Sequence, residues 1–168
     1  MPVTEMRELL LHELGDILYA ERKFLTGTRG MARETNSPEM KARLEEHVRE
    51  TEGQIERIQE VFRTLGEKPK AEKCEAAIGL REEHDSFKSE EKPSKPILEA
   101  FDIGSGLRVE HYEIAAYRTA IAIATAMGET QCLPLLQESL LEEEAMAKFL
   151  EKNAVRALRK LTAEAEAQ

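Results

Sequence analysis

The chain has 168 residues with 33 acidic and 24 basic side chains, a formal net charge of -9, 41% hydrophobic residues and no tryptophan. That length is enough for one domain with an adequate core, and the acidic balance argues against nucleic-acid or anionic-membrane partners, which need a concentrated basic face. No apolar run approaches the roughly 20 residues of a membrane span, and the N-terminus lacks a basic region followed by an apolar stretch, so a cytoplasmic protein whose small partners are cations is expected.

Leu, Ala, Glu, Lys and Arg dominate while β-branched and aromatic residues are scarce, which predicts an all-α chain. Thr4 is the expected cap of a first helix running to about Arg33, with Leu10, Leu14, Ile17, Phe24 and Thr28 on one stripe. Ser37 as N-cap and Pro38 as first residue open a second helix over 38–65, whose stripe passes through Leu44, Thr51, Ile58, Phe62 and Leu65 before Gly66 and Pro69 end it. Residues 67–93 read as a long crossover carrying a short extra helix around Cys74 to Phe87. A third long helix follows Pro96, with Phe101, Leu107, Ile114, Tyr117, Ile121 and Ala124, and stops at Gly128. Thr130 is the expected cap of a fourth, with Leu136, Leu140, Ala147, Leu150 and Ala154 on its stripe and a frayed tail over 162–168. Short links pair helices one with two and three with four, so the pattern predicts a four-helix bundle with one long crossover. Cys74 and Cys132 lie far apart without a CxxC pattern and read as small buried hydrophobes.

Carboxylates interrupt these stripes. Glu21 lies four residues after Ile17 and four before Leu25; Glu50 shares a face with His47 and Gln54; Glu110 and Glu113 stand three apart with Tyr117 following; Glu143 falls between Leu140 and Ala147, with Glu142 beside it. Glu21 is 13 residues before position 34, Glu50 is 13 after Ser37, Glu113 is 14 before Met127 and Glu143 is 13 after Thr130. At about 1.5 Å per residue, all four lie roughly 20 Å from their hairpin turns, at mid-bundle. An ionised carboxylate in a bundle interior is strongly disfavoured unless paired or metal-bound, and a shared pair of iron or manganese ions accounts for four helices at once. The competing reading is accidental placement or surface pairing, such as Glu21 with Arg22 or Glu50 with Arg49, and Glu142 competes with Glu143 for the helix-four role. His47 reads as a ligand, a donor behind the ligands, or a core histidine; His111 reads as a partner at a helix interface, and His12 and His84 as solvated.

The segments YAERKFL, EEHVRETEGQIERI, LGEKPKAEKCEA, RVEHYEIAAY and LLEEEAMAKFL together resemble the YciE/YciF family of bacterial stress-associated proteins, a branch of the ferritin-like superfamily. The resemblance implies a ferritin-like bundle, commonly a homodimer, with a carboxylate di-metal centre of two ions per chain. It implies Glu21 as the single ligand of helix one, Glu50 as a bridging ligand, Glu110 with Glu113 as the pair of helix three, and Glu143 from helix four. Glu-x-x-His, frequent in such sites, is absent: Glu50 is followed by Gly53 and Glu143 by Met146, so manganese, or a redox-silent ion such as calcium or magnesium, suits the oxygen-rich set as well as iron. The expected functions are turnover of peroxide or oxygen during stress, non-catalytic metal binding or storage, or a structural role.

Overall fold

The computed structural model describes residues 3–166 and contains five α-helices: α1 Met6–Glu34, α2 Pro38–Thr64, α3 Glu75–Ser86, α4 Lys95–Met127 and α5 Leu133–Glu166. The chain is all-α, as its composition predicts, and α1, α2, α4 and α5 form a ferritin-like four-helix bundle in which α1 packs on α2 and α4, and α5 packs on α4 and α2.

Contacts at the helix ends fix the directions. Arg7 donates to the Leu65 carbonyl at 2.6 Å, placing the end of α2 beside the start of α1. The crossover then runs the length of the bundle: the Glu72 amide donates to the Gly15 carbonyl at 3.0 Å, Lys88 reaches Glu34 at 2.6 Å, and Lys95 reaches Asn36 at 2.7 Å. Helix α4 therefore starts at the α1–α2 turn and descends antiparallel to α1, while α5 climbs back until Arg156 meets Glu39 at 2.6 Å. The order is up, down, down, up, with α3 laid against α1 and α4.

The predicted stops and starts mostly hold. The Met40 amide donates to Ser37 Oγ at 3.3 Å, capping α2, and Gly66 and Gly128 both adopt φ of 77°, where a side chain would be strained. Thr4 is not the cap of α1: Glu5 holds that position, and the Glu8 carboxylate folds back to accept from the amides of Thr4 and Glu5. Thr130 does not cap the last helix either. It opens a 3₁₀ turn, Thr130–Cys132, and α5 begins at Leu133 with Pro134 in its first turn. Helix continues through the tail expected to fray as far as Glu166, with Leu161 buried; residues 167–168 lie outside the described part. The extra helix of the crossover ends in a π-helical stretch, Phe87–Glu91, that no sequence pattern signalled.

A large apolar cluster, including Leu14, Leu18, Ile58, Phe62, Ala120 and Leu136, fills the half of the bundle near the α1 N-terminus. A smaller one, with Ala32, Leu44, Met146 and Leu150, closes the other half. Cys74 and Cys132 are both buried thiols, as expected. Among the described residues no helix is long and apolar enough to cross a membrane.

Gly15 is the seat of the crossover on α1. A Cβ there would lie 2.9 Å from the Lys70 carbonyl oxygen and 2.7 Å from Glu72 Cγ. Alanine gains about 0.5–1 kcal/mol of helix propensity over glycine, but overpacking against backbone costs about 1–3 kcal/mol. Gly15→Ala is thus expected to destabilise the protein by about 1 kcal/mol in a denaturant titration; a stabilised variant would show that the crossover is not seated there.

Candidate metal centre

Between the two apolar clusters lies a layer of acids. Glu21 and Glu143 are 0% exposed and Glu110 and Glu113 are 3% exposed, with His47 and Gln54 buried among them. Each long helix supplies at least one member because the i, i+4 stripe that builds its core passes through that position.

His47 sits at the centre of the polar set. Its Nε2 stands 3.4 Å from Glu110 Oε2 and 3.8 Å from Glu143 Oε2, an ionic approach rather than a formed hydrogen bond. One ligand atom from each of His47, Glu110 and Glu143 lies within 4.8 Å of the other two, close enough for a single ion to touch all three. On its other side, Nδ1 is 2.9 Å from Glu50 Oε2, which also accepts from Arg43 Nη1 at 2.8 Å. Glu50 is therefore half-buried at the rim, held by a cation two turns earlier on its own helix. The structure brings Glu21, His47, Glu110, Glu113 and Glu143 into one buried layer and leaves Glu50 behind His47. Between the neighbours on α5, Glu143 faces inward, while Glu142 turns to Arg57 and Gln54.

Two neutral donors orient the inner acids: Tyr117 OH donates to Glu21 Oε1 and Gln54 Nε2 to Glu143 Oε1, each at 2.5 Å. Even so, Glu21 Oε2, Glu110 Oε2, Glu113 Oε1, Glu143 Oε2 and Gln54 Oε1 are buried without a hydrogen-bond partner. Buried oxygens in native proteins are almost always satisfied, so four unpartnered carboxyl oxygens in one layer fit a partner of opposite charge. An all-oxygen set with one imidazole suits iron or manganese, and the residues fit such a group.

The electrostatics agree. Burial pushes the Glu21 carboxyl up from 4.5 to about 8, with Glu110 adding to the shift and Tyr117 and His47 opposing it. Burial and the neighbouring acids likewise hold Glu113 and Glu143 well above the usual carboxylate range. For His47, burial disfavours the cation, but Glu110 and Glu143 outweigh it and raise the imidazole well above its ordinary value. Glu50 moves the other way, because the bonds from His47 and Arg43 outweigh its burial.

The model of a family described as a domain of unknown function (DUF892) matches residues 5–163. The chain belongs to the DUF892 family. Among its relatives is protein YciF of Escherichia coli (strain K12), 35% identical over 147 residues that span 86% of this chain and 87% of YciF. The crystal structure of that E. coli stress protein superposes with a TM-score of 0.85, at 31% identity over 94% of this chain and 99% of the other. YcfI of Rhodopseudomonas palustris gives the same TM-score at 37% identity, covering 89% of this chain and 94% of its own. The resemblance seen in the five sequence segments is thereby borne out, and the DUF892 chain is a YciF-like helical bundle.

Away from the layer, His111 is exposed and meets Glu151 at 3.1 Å across α4 and α5, the helix-interface role expected of it. His12 is exposed as expected. His84 is not solvated: α3 docks on α4 so that its Nε2 is 2.8 Å from Asp102, and the residue is buried. Sequence reading also passed over Arg43, Arg57 and Ser139. Their one signal was helical spacing: Arg43 is seven before Glu50, Arg57 three after Gln54, and Ser139 four before Glu143.

The pH dependence of stability follows in sign. In the metal-free fold Glu21 keeps a proton that the unfolded chain releases above 4.5, so its contribution fades as pH rises toward about 8. His47, raised above 6.5, also contributes at low pH and loses that contribution as pH climbs through its raised value. With chelator present, the melting temperature is expected to fall between about pH 6 and pH 8. A rise over that window would contradict neutral acids in the layer.

Proposed function

We propose that this DUF892 protein is a carboxylate di-metal protein, holding two iron or manganese ions per chain and serving peroxide or oxygen turnover under stress. What carries the reading is the set of four buried carboxylates, each with an oxygen that has no partner, gathered from three helices around one imidazole. A loaded pair of such ions supplies redox and Lewis-acid chemistry.

The chain's own residues do the rest. Glu110 and Glu143 with His47 form one corner of the site, and Glu113 and Glu21 supply the further oxygens. Tyr117 and Gln54 each tie up one oxygen of Glu21 and Glu143, so that the other points inward. When Glu50 accepts the proton of Nδ1, the Nε2 lone pair of His47 is free to face the ions, the tautomer a metal-binding imidazole needs. Arg43 keeps Glu50 ionised for that task. Apolar side chains on both sides of the layer exclude water.

Metal content by mass spectrometry, after growth with iron and manganese, tests the proposal. About two ions per chain are expected in the wild type, and a large loss in a Glu110→Ala/Glu113→Ala variant that stays helical. Absence of bound transition metal from the wild type would end the di-metal reading. Metal retained without peroxide turnover would leave binding alone. Binding displaces the protons held on Glu21, Glu113 and Glu143, so metal uptake is expected to acidify a weakly buffered solution and to weaken as pH falls.

A further inference from the structure

A cavity of about 120 Å³ begins at the acid layer and runs toward the α1–α2 turn. On α2 and its N-cap it is lined by Ser37, Met40, Leu44 and His47, a rise of about 15 Å along the helix. Its inner end is His47 with Glu110, and its wall carries Phe24, Met31, Met40, Leu44, Met146 and Leu150 together with the hydroxyls of Thr28 and Ser105.

Two glycines lie in its wall. Gly27 and Gly106 line it from inside α1 and α4, where a Cβ on Gly27 would come within 2.6 Å of the Arg81 guanidinium and one on Gly106 within 3.2 Å of Leu150 Cδ1, so each lets a lining side chain lie close against its helix. An apolar cavity of similar size, about 150 Å³, stays dry and takes up benzene, since water needs several polar partners. The walls of this one are mostly thioether and hydrocarbon, and the Thr28 hydroxyl is already donated to the Phe24 carbonyl at 3.1 Å.

We propose that the cavity binds an uncharged, chain-like apolar molecule whose inner end reaches His47 and Glu110. The charge pattern selects against an ionic head. Among its lining residues Arg81 is paired with Asp85 at 2.7 Å, Lys160 with Glu164 at 3.6 Å and His84 with Asp102 at 2.8 Å, so each of these basic groups already faces an acid. At the inner end the His47 imidazole already faces Glu110 at 3.4 Å and Glu143 at 3.8 Å, so it too has its acids. The binding itself stands on the cavity; only its service as the substrate site of the metal centre rests on the di-metal reading.

The test uses the protein as purified and 1-decanol as the neutral chain-like probe, followed by titration calorimetry. Saturable binding at one site per chain is expected, with decanoate competing at least about tenfold less effectively than a second neutral alcohol, 1-nonanol. Gly106→Phe and Leu44→Trp, placed to fill the cavity from different helices, are each expected to weaken the probe about tenfold or more while circular dichroism stays helical. No saturable binding, or unchanged binding in both helical variants, overturns the proposal. Equal competition by decanoate overturns its restriction to uncharged ligands. Metal is quantified on the same samples: probe binding without metal refutes the di-metal reading alone, and metal without probe binding refutes the cavity alone. With cobalt(II) loaded, decanol is expected to shift the visible absorption, and an unmoved spectrum overturns the reach to His47 and Glu110.

Discussion

Four carboxylates buried at one level of a helical bundle are the constraint to which the surrounding structure answers. Alone, each is strongly disfavoured in its ionised form, and the protein sets no lysine or arginine among them. His47 is the one titratable base within the layer, while Arg43 and Arg57 stop at its margin, occupied with Glu50 and with Glu142, Glu138 and Ser139. Had Arg57 been aimed inward it would satisfy Glu143 and remove one oxygen from the unpartnered set. Instead the outer acids absorb the arginines, and the inner oxygens keep their charge demand unmet.

That arrangement divides orientation from neutralisation. Tyr117 and Gln54 are neutral donors, so they fix the rotamers of Glu21 and Glu143 without cancelling their charge. Neutral donors in this position are what a site needs if it must be ordered before its ion arrives, since a charged partner would have to be displaced first. The cost appears as raised carboxyl pKa values and as stability surrendered in the metal-free chain, the usual exchange between a functional site and the fold that carries it.

The architecture was legible because it is written in helical periodicity. Ser37 with Pro38, Gly66 and Gly128 punctuate the chain where the structure turns, and Glu21, Glu110, Glu113 and Glu143 betrayed themselves by breaking apolar stripes at equal depth. What escaped depends on contacts between distant segments. Glu50 sits on the predicted face, yet Arg43 draws it to the rim, and nothing in the stripe ranks a guanidinium two turns away above a shared ion. His84 is buried only because α3 lies on α4 beside Asp102, a docking that no local pattern encodes. Thr130 and Thr4 had the right chemistry for caps, but Glu8 and a 3₁₀ turn met those needs by other means. The tail stayed helical beyond 162 because Leu161 found a buried place.

The two halves of the bundle are unequal, and the inequality has mechanical meaning. Below the acid layer, the cluster around Leu14, Ile58, Phe62 and Leu136 is continuous and sealed, so the backbone that carries Glu21, Glu113 and Glu143 is anchored there. Above it the core thins to Ala32, Leu44, Met146 and Leu150, beside a cavity whose wall includes Met31, Met40 and Met146, side chains that adapt their packing. The crossover closes that half with a short helix and a π-helical stretch, in which Phe87 stacks on Phe101 of α4 at 3.9 Å between ring centroids. Local opening is cheapest where buried apolar contacts are fewest. A bundle that must hold four acids rigidly and still admit a molecule to them is best served by stiffness on one side and looseness on the other, and the chain distributes its apolar residues in that way.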